Sequence, residues 1–170
     1  MEKLMHIYCG EGKGKTTASV GLALRAAGAG IKTAFVQFLK GGESCEIGML
    51  QQVPGITVTR CDREYGWISS LSDEDRQSLI RCHNELLENA FSGDHGCVIL
   101  DEFNIAYKSG LIDRDRAKAL ITAAHGEREI VLTGRDPAPE FMELADYISE
   151  IRCVRHPYEK GVSARRGIEY

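Results

Sequence analysis

The chain has 170 residues, enough for one domain that buries about 70% of the surface its unfolded form exposes, so it needs no covalent staples. Its net charge is -4 and its lysines and arginines are dispersed, which argues against a nucleic-acid surface while leaving room for local binding of small anions. Six cysteines (Cys9, Cys45, Cys61, Cys82, Cys97 and Cys153) lack a C-x-x-C pair and zinc-like spacing with histidine, which predicts reduced thiols partly in the core rather than a disulfide framework or structural metal.

Met1-Glu2-Lys3 leads straight into an apolar strand at 4–8 with no basic-then-apolar leader, and no apolar run reaches membrane-spanning length; a soluble, cytoplasmic protein without a membrane partner is expected. The strand is followed by Gly10-Glu11-Gly12-Lys13-Gly14-Lys15-Thr16-Thr17. Glycines let a backbone turn tightly and aim successive N–H groups at phosphate oxygens, and a helix N-terminus adds partial positive charge. Lys15 is placed to neutralise the outer phosphates, and Thr16 to offer its hydroxyl to Mg²⁺. Counting back from Gly14-Lys15-Thr16, Cys9 stands where the pattern G-x-x-x-x-G-K-[ST] has its first glycine.

Residues 18–29 read as an alanine- and leucine-rich helix and 33–38 as a buried strand, completing a βαβ unit. Residues 41–52 read as loop, 56–60 as a short strand and 61–70 as an irregular excursion. Ser72-Asp73-Glu74-Asp75 opens a helix running to about Phe91, with Leu79, Cys82, Leu86 and Leu87 on one side. Cys97-Val98-Ile99-Leu100 is a fully apolar strand. A helix at 113–125, a strand at 129–132, a helix at 139–145 and a strand at 147–154 follow. The alternation predicts an α/β fold with a doubly wound, mostly parallel sheet of the P-loop NTPase (RecA-like) type, in a single domain spanning 1–170.

The apolar strand at 97–100 ends in Asp101-Glu102, where open α/β sheets bind their ligands and where an acid can meet Mg²⁺. Adjacent side chains at a strand end point in opposite directions, so spacing leaves open which carboxylate faces the metal.

Further matches lie in Val36-Gln37-Phe38, Lys40, Thr133-Gly134-Arg135, Leu144-Ala145-Asp146, Ser149-Glu150, His156-Pro157-Tyr158, Gly161, Ala164 and Gly167-Ile168-Glu169-Tyr170. With the loop, they resemble the ATP:corrinoid adenosyltransferases of the P-loop type over nearly the whole chain. The resemblance implies transfer of the 5′-deoxyadenosyl group of ATP to the cobalt(I) of a reduced corrinoid, with triphosphate leaving, in adenosylcobalamin biosynthesis or salvage. It implies catalytic roles for Lys15 and Glu102, Mg²⁺ ligation by Thr16 and Glu102, a triphosphate cradle from Gly10 to Thr17, and basic contacts near the nucleotide from Arg25 and Arg135. Tyr65-Gly66-Trp67 resembles the family's aromatic-x-tryptophan segment and is expected to face the corrin. A homodimer and a flavoprotein reductant are further implied. Glu11 departs from the family's asparagine or aspartate, the stretch after Lys40 lacks its Trp-Pro, and no N-terminal extension precedes the first strand. A small P-loop phosphotransferase and a non-catalytic ATP- and corrinoid-binding subunit are the rival readings.

Overall fold

The computed structural model describes residues 2–42 and 44–169. Met1, Glu43 and Tyr170, which belong to the expected chain start, the stretch after Lys40 and the C-terminal signature, lie outside the described residues. Six strands, β1 (Met5–Cys9), β2 (Thr33–Gln37), β3 (Ile56–Arg60), β4 (Cys97–Asp101), β5 (Glu129–Thr133) and β6 (Tyr147–Glu150), form one sheet in the order β3-β2-β4-β5-β1-β6. Every pairing is parallel, so all six C-terminal ends emerge on one edge. β2 and β4 are buried at all positions, the pattern of parallel strands covered on both faces.

Side-chain alternation along the strands divides the core. Val98 and Leu100 join Val36, Ile130 and Leu132 on one face, while Cys97 and Ile99 join Phe35 and Val131 on the other. The first face is covered by α3 (Asp73–Ser92), α4 (Phe103–Lys108), α5 (Arg114–Ala124) and α6 (Pro139–Leu144), and the second by α1 (Lys15–Gly28) and α2 (Cys45–Leu50). Ser72 caps α3 by accepting the Asp75 N–H at 3.1 Å, and the first turn is acidic, both favourable at a helix N-terminus.

The expected elements are present, with differences that have physical causes. α1 begins three residues earlier than its alanine run suggests, because Lys15 and Thr16 of the glycine loop already form its first turn. Within the stretch read as loop, α2 buries Ile47 and Leu50 against the sheet, two apolar positions too few to show a period. α4 follows β4 directly and buries Phe103, Ala106 and Tyr107. β6 ends at Glu150 because Ile151 turns onto the glycine loop, where its carbonyl accepts the Gly12 N–H at 2.7 Å. One expectation is corrected outright: Cys61 and Cys82 form a disulfide, with Cα atoms 6.2 Å apart. Their 21-residue separation carries no spacing signature, and only the fold brings the end of β3 against the middle of α3.

Candidate functional site

The carboxyl edge of the sheet gathers nearly every residue that the sequence marked. Between β1 and α1 the chain makes the glycine loop. Gly14 has φ of 120°, a conformation that L side chains rarely adopt, and this orients the first turn of α1. At Gly12 the cause is crowding, since a Cβ there would lie 2.7 Å from the carbonyl oxygens of Ile151 and Arg152. Cys9 fills the position of the pattern's first glycine at no backbone cost. It remains in β1, paired with Glu150, and the left-handed turn falls on Gly10 at φ of 95°. Lys15 Nζ donates to the carbonyls of Gly10 and Gly12 at 2.7 and 2.8 Å, holding its ammonium inside the loop.

Below the loop lies a network centred on Asp101. β5 lies between β1 and β4, so Thr133 at its end reaches both neighbours. Asp101 is fully buried, and its Oδ1 accepts from Thr16 Oγ1 at 2.9 Å and from Thr133 Oγ1 at 2.7 Å. Its Oδ2 accepts from Gln37 Nε2 at 3.2 Å and from Lys40 Nζ at 3.4 Å. Thr133 Oγ1 in turn accepts the Glu102 N–H at 3.0 Å. Glu102 has φ of 59°, and this left-handed kink separates its direction from that of Asp101. Asp101 turns into the protein, whereas Glu102 lines the cleft and approaches Lys40 Nζ at 3.5 Å. The alternation that spacing left open is thereby described: one carboxylate holds the Thr16 proton, and the other opens to the cleft.

The cleft has a volume of about 730 Å³ and is lined by the loop from Glu11 to Thr17, by Lys40, Cys45, Glu46, Glu102 and Arg135, and by His156, Gly167, Ile168 and Glu169 of the C-terminal segment. Arg135 Nε pairs with Glu11 Oε2 at 3.1 Å across its mouth. A smaller hollow of about 230 Å³ between α5 and α6, lined by Lys118, Thr122 and Glu140 among others, carries no phosphate cradle. Hard oxygens from Thr16, Asp101 and Glu102 suit Mg²⁺, which is commonly held by one or two carboxylates together with substrate phosphates. No group of three or more His, Cys, Asp or Glu side chains that could hold a metal ion occurs among the described residues.

Not every expected residue arrives. Arg25 is exposed in the last turn of α1, ten residues beyond Lys15 and hence about 15 Å along the helix, and it does not line the cleft. A helix starting at Lys15 sets its tenth following residue about three turns from the loop, apart from the other expected nucleotide contacts. Tyr65 and Trp67 also lie outside the cleft lining. Tyr65 bonds Ser78 Oγ at 2.9 Å and stacks under Arg63, while Trp67 is 84% exposed beside a 3₁₀ turn at Ile68–Ser70. Their segment nevertheless packs beside the cleft-lining Lys40, since a Cβ on the next residue, Gly41, would run into the Arg63 carbonyl oxygen.

Sequence reasoning placed Lys40 and the C-terminal signature in a family pattern without giving them a place in the cleft. It gave Gln37 and Thr133 no polar role. The available signal was positional: Gln37, Asp101 and Thr133 each end a buried strand, where an uncharged apolar residue would be ordinary.

A glycine loop opening a helix, a strand-end acid bonded to the loop threonine, and an intervening parallel strand together define a P-loop nucleotide-binding α/β protein. The family model for ATP:corrinoid adenosyltransferase BtuR/CobO/CobP matches residues 1–170, and the chain belongs to that family. It is 31% identical over 166 residues to the corrinoid adenosyltransferase of Pseudomonas aeruginosa, covering 96% of this chain and 82% of the relative. It is 28% identical over 164 residues to the corrinoid adenosyltransferase CobA of Salmonella typhimurium, covering 96% and 84%. Among solved structures, the cytoplasmic domain of EssC shares the fold with a TM-score of 0.53 at 18% identity, covering 97% of this chain and 36% of that one. No helix among the described residues is long and apolar enough to cross a membrane.

Proposed function

We propose that this protein transfers the 5′-deoxyadenosyl group of ATP to the cobalt(I) of a reduced corrinoid, with cob(I)yrinic acid a,c-diamide or cob(I)alamin as the acceptor. The observation that carries the reading is the coincidence of full-length family membership with a phosphate loop tied to a strand-end acid through Thr16 and Asp101. The cobalt electron pair forms a bond to C5′ of ATP, the C5′–O bond breaks, and its electrons leave on the triphosphate. Leaving-group stabilisation is then the largest demand on the protein.

The chain's own groups suit that task. Lys15 exchanges its two loop carbonyls for phosphate oxygens, and the loop N–H groups and the N-terminus of α1 add partial positive charge. Thr16 directs its proton to Asp101 and so keeps a lone pair for Mg²⁺, with Glu102 as the carboxylate ligand on the cleft side. When bound, Mg²⁺ supplies a divalent charge against the triphosphate. Arg135 contributes at the cleft mouth once Glu11 releases it. Tyr65 and Trp67 offer an apolar surface for the corrin face, where dryness would favour loss of the lower axial ligand. A flavoprotein reductant, a homodimer and a cytoplasmic setting complete the reading.

The test incubates protein with ATP, Mg²⁺ and chemically reduced corrinoid, then follows the corrin spectrum and the phosphate product. Formation of an adenosylated corrinoid with stoichiometric tripolyphosphate is expected. Release of ADP in place of tripolyphosphate would replace the reading with phosphotransfer.

A further inference from the structure

The side chain of Lys40 occupies an unusual position. Its Nζ lies 3.2 Å from Thr16 Oγ1, 3.4 Å from Asp101 Oδ2 and 3.5 Å from Glu102 Oε1, the same three groups whose oxygens suit a divalent cation. Burial alone would pull the Lys40 ammonium down, but the Asp101 and Glu102 carboxylates outweigh it and hold the group above its ordinary range. A divalent ion on these same oxygens would sit directly against the ammonium, and repulsion between the two cations favours movement of the lysine out of the site.

The backbone is fixed while the side chain can move. Lys40 N–H donates to the Phe38 carbonyl at 2.8 Å across Leu39, which has φ of 64°, and Phe38 N–H donates to the Asp101 carbonyl at 3.0 Å. The Leu39 N–H donates to Nε2 of the buried His83 at 3.3 Å, and the His83 Nδ1–H donates to the Leu111 carbonyl at 3.1 Å. This tight turn, tethered to β4 and α3, points the side chain at the site. The stem is 37% exposed and lines the same cleft as the phosphate loop, so an expelled ammonium has room to swing toward a triphosphate.

We propose that Lys40 is a displaceable internal cation: it neutralises the Thr16–Asp101–Glu102 oxygens until Mg²⁺ enters, and then moves onto the triphosphate as a second lysine beside Lys15. Metal entry would thereby deliver three positive charges to the leaving group, two from the ion and one from the released lysine. This rests on the metal site of the proposed function.

The test measures Mn²⁺ binding by electron paramagnetic resonance to the full chain without nucleotide, in wild type, Lys40→Gln and Lys40→Met, with thermal melts confirming folding. Both variants should bind Mn²⁺ at least about tenfold more tightly than wild type, and adding Glu102→Gln should remove the gain. With saturating Mg²⁺, the same variants should bind inorganic tripolyphosphate about tenfold more weakly, the loss of one charge-assisted contact. Equal Mn²⁺ affinity in wild type and both variants, with Glu102→Gln still weakening it, would sink the displacement while leaving the metal site intact. Absence of Mn²⁺ binding in all of them, with and without ATP, would remove the metal site and the proposal together.

Discussion

Around the phosphate loop each polar group is tied to another: Lys15 to two carbonyls, Thr16 to Asp101, Asp101 to Thr133 and Gln37, and Glu102 through its N–H to Thr133. On the flanking segments, residues 61–71 and 151–169, Trp67, Val154 and Tyr158 are strongly exposed, while Tyr65, Ile68 and Leu71 pack against the core. The first region is organised by burial before any ligand arrives, which lowers the reorganisation needed as charge develops. The second is anchored at points such as Cys61–Cys82 and Tyr65–Ser78 and leaves more apolar surface exposed between them. ATP recognition is therefore expected to be rigid and sensitive to single atoms, whereas corrinoid recognition should be graded and tolerant.

Lys15→Ala breaks the rigid side most severely. In the proposed role of Lys15 against the leaving triphosphate, its loss should cost about 3 to 4 kcal/mol, a hundred- to a thousand-fold in turnover. Single-turnover kinetics on a folded variant measure it, and a loss of only a few-fold would take the loop out of the chemistry.

His83 probes the same side from beneath. Burial holds its imidazole well below the ordinary 6.5, at about 4, so it is neutral at physiological pH, as its acceptor role toward Leu39 requires. The unfolded chain takes up a proton first. The contribution of neutral His83 is therefore complete above about pH 6.5 and is lost as pH falls toward 4, by about 3 kcal/mol over that window. His83→Gln should flatten this part of a denaturation-versus-pH profile, and an unchanged slope would assign acid sensitivity to other groups.

The two regions also differ in how far the sequence disclosed them. Strands such as Cys97–Asp101 were legible because continuous apolar runs bounded by glycine and acid have few alternatives in a parallel sheet. The loop was legible because phosphate binding demands glycines and a lysine in fixed order. α2 and α4 were not, since six residues hold fewer than two helical turns and show no period. The Cys61–Cys82 bridge and the Lys40 contacts were hidden for another reason: each joins residues 21 or more positions apart, and distance in space is set by the whole topology. Arg25 shows the converse, a residue near the loop in sequence that the helix sets about 15 Å along its axis from Lys15.

A finer break separates the two adjacent carboxylates. Glu102→Gln should raise the Mg²⁺ concentration for half-maximal activity by about tenfold while leaving the melting temperature nearly unchanged, because its side chain faces the cleft. Asp101→Asn should shift the metal requirement less and lower the melting temperature by about 5 °C, since an amide nitrogen in place of Oδ2 can accept from neither Gln37 nor Lys40 and both contacts are lost. A Mg²⁺ titration and a thermal melt of both variants decide it, and the opposite pattern would make Asp101 the metal ligand.

Trp67→Ala addresses the outward-facing side and should have the smallest effect. With 84% of its surface exposed, the indole contributes little to folding, so ATP affinity and melting temperature should stay close to wild type. If it supplies an apolar surface for the corrin, its loss should slow reaction about three- to tenfold with a corrinoid whose lower ligand must be displaced, the worth of one aromatic contact. A corrinoid lacking that intramolecular base should be affected less, because there is less ligand binding to overcome. The ratio of the two rates is the informative quantity, since it cancels any general loss of active protein. An equal loss with both corrinoids, or a parallel loss of ATP affinity, would mean that the exposed segment supports the rigid side, and the contrast between the two regions would disappear.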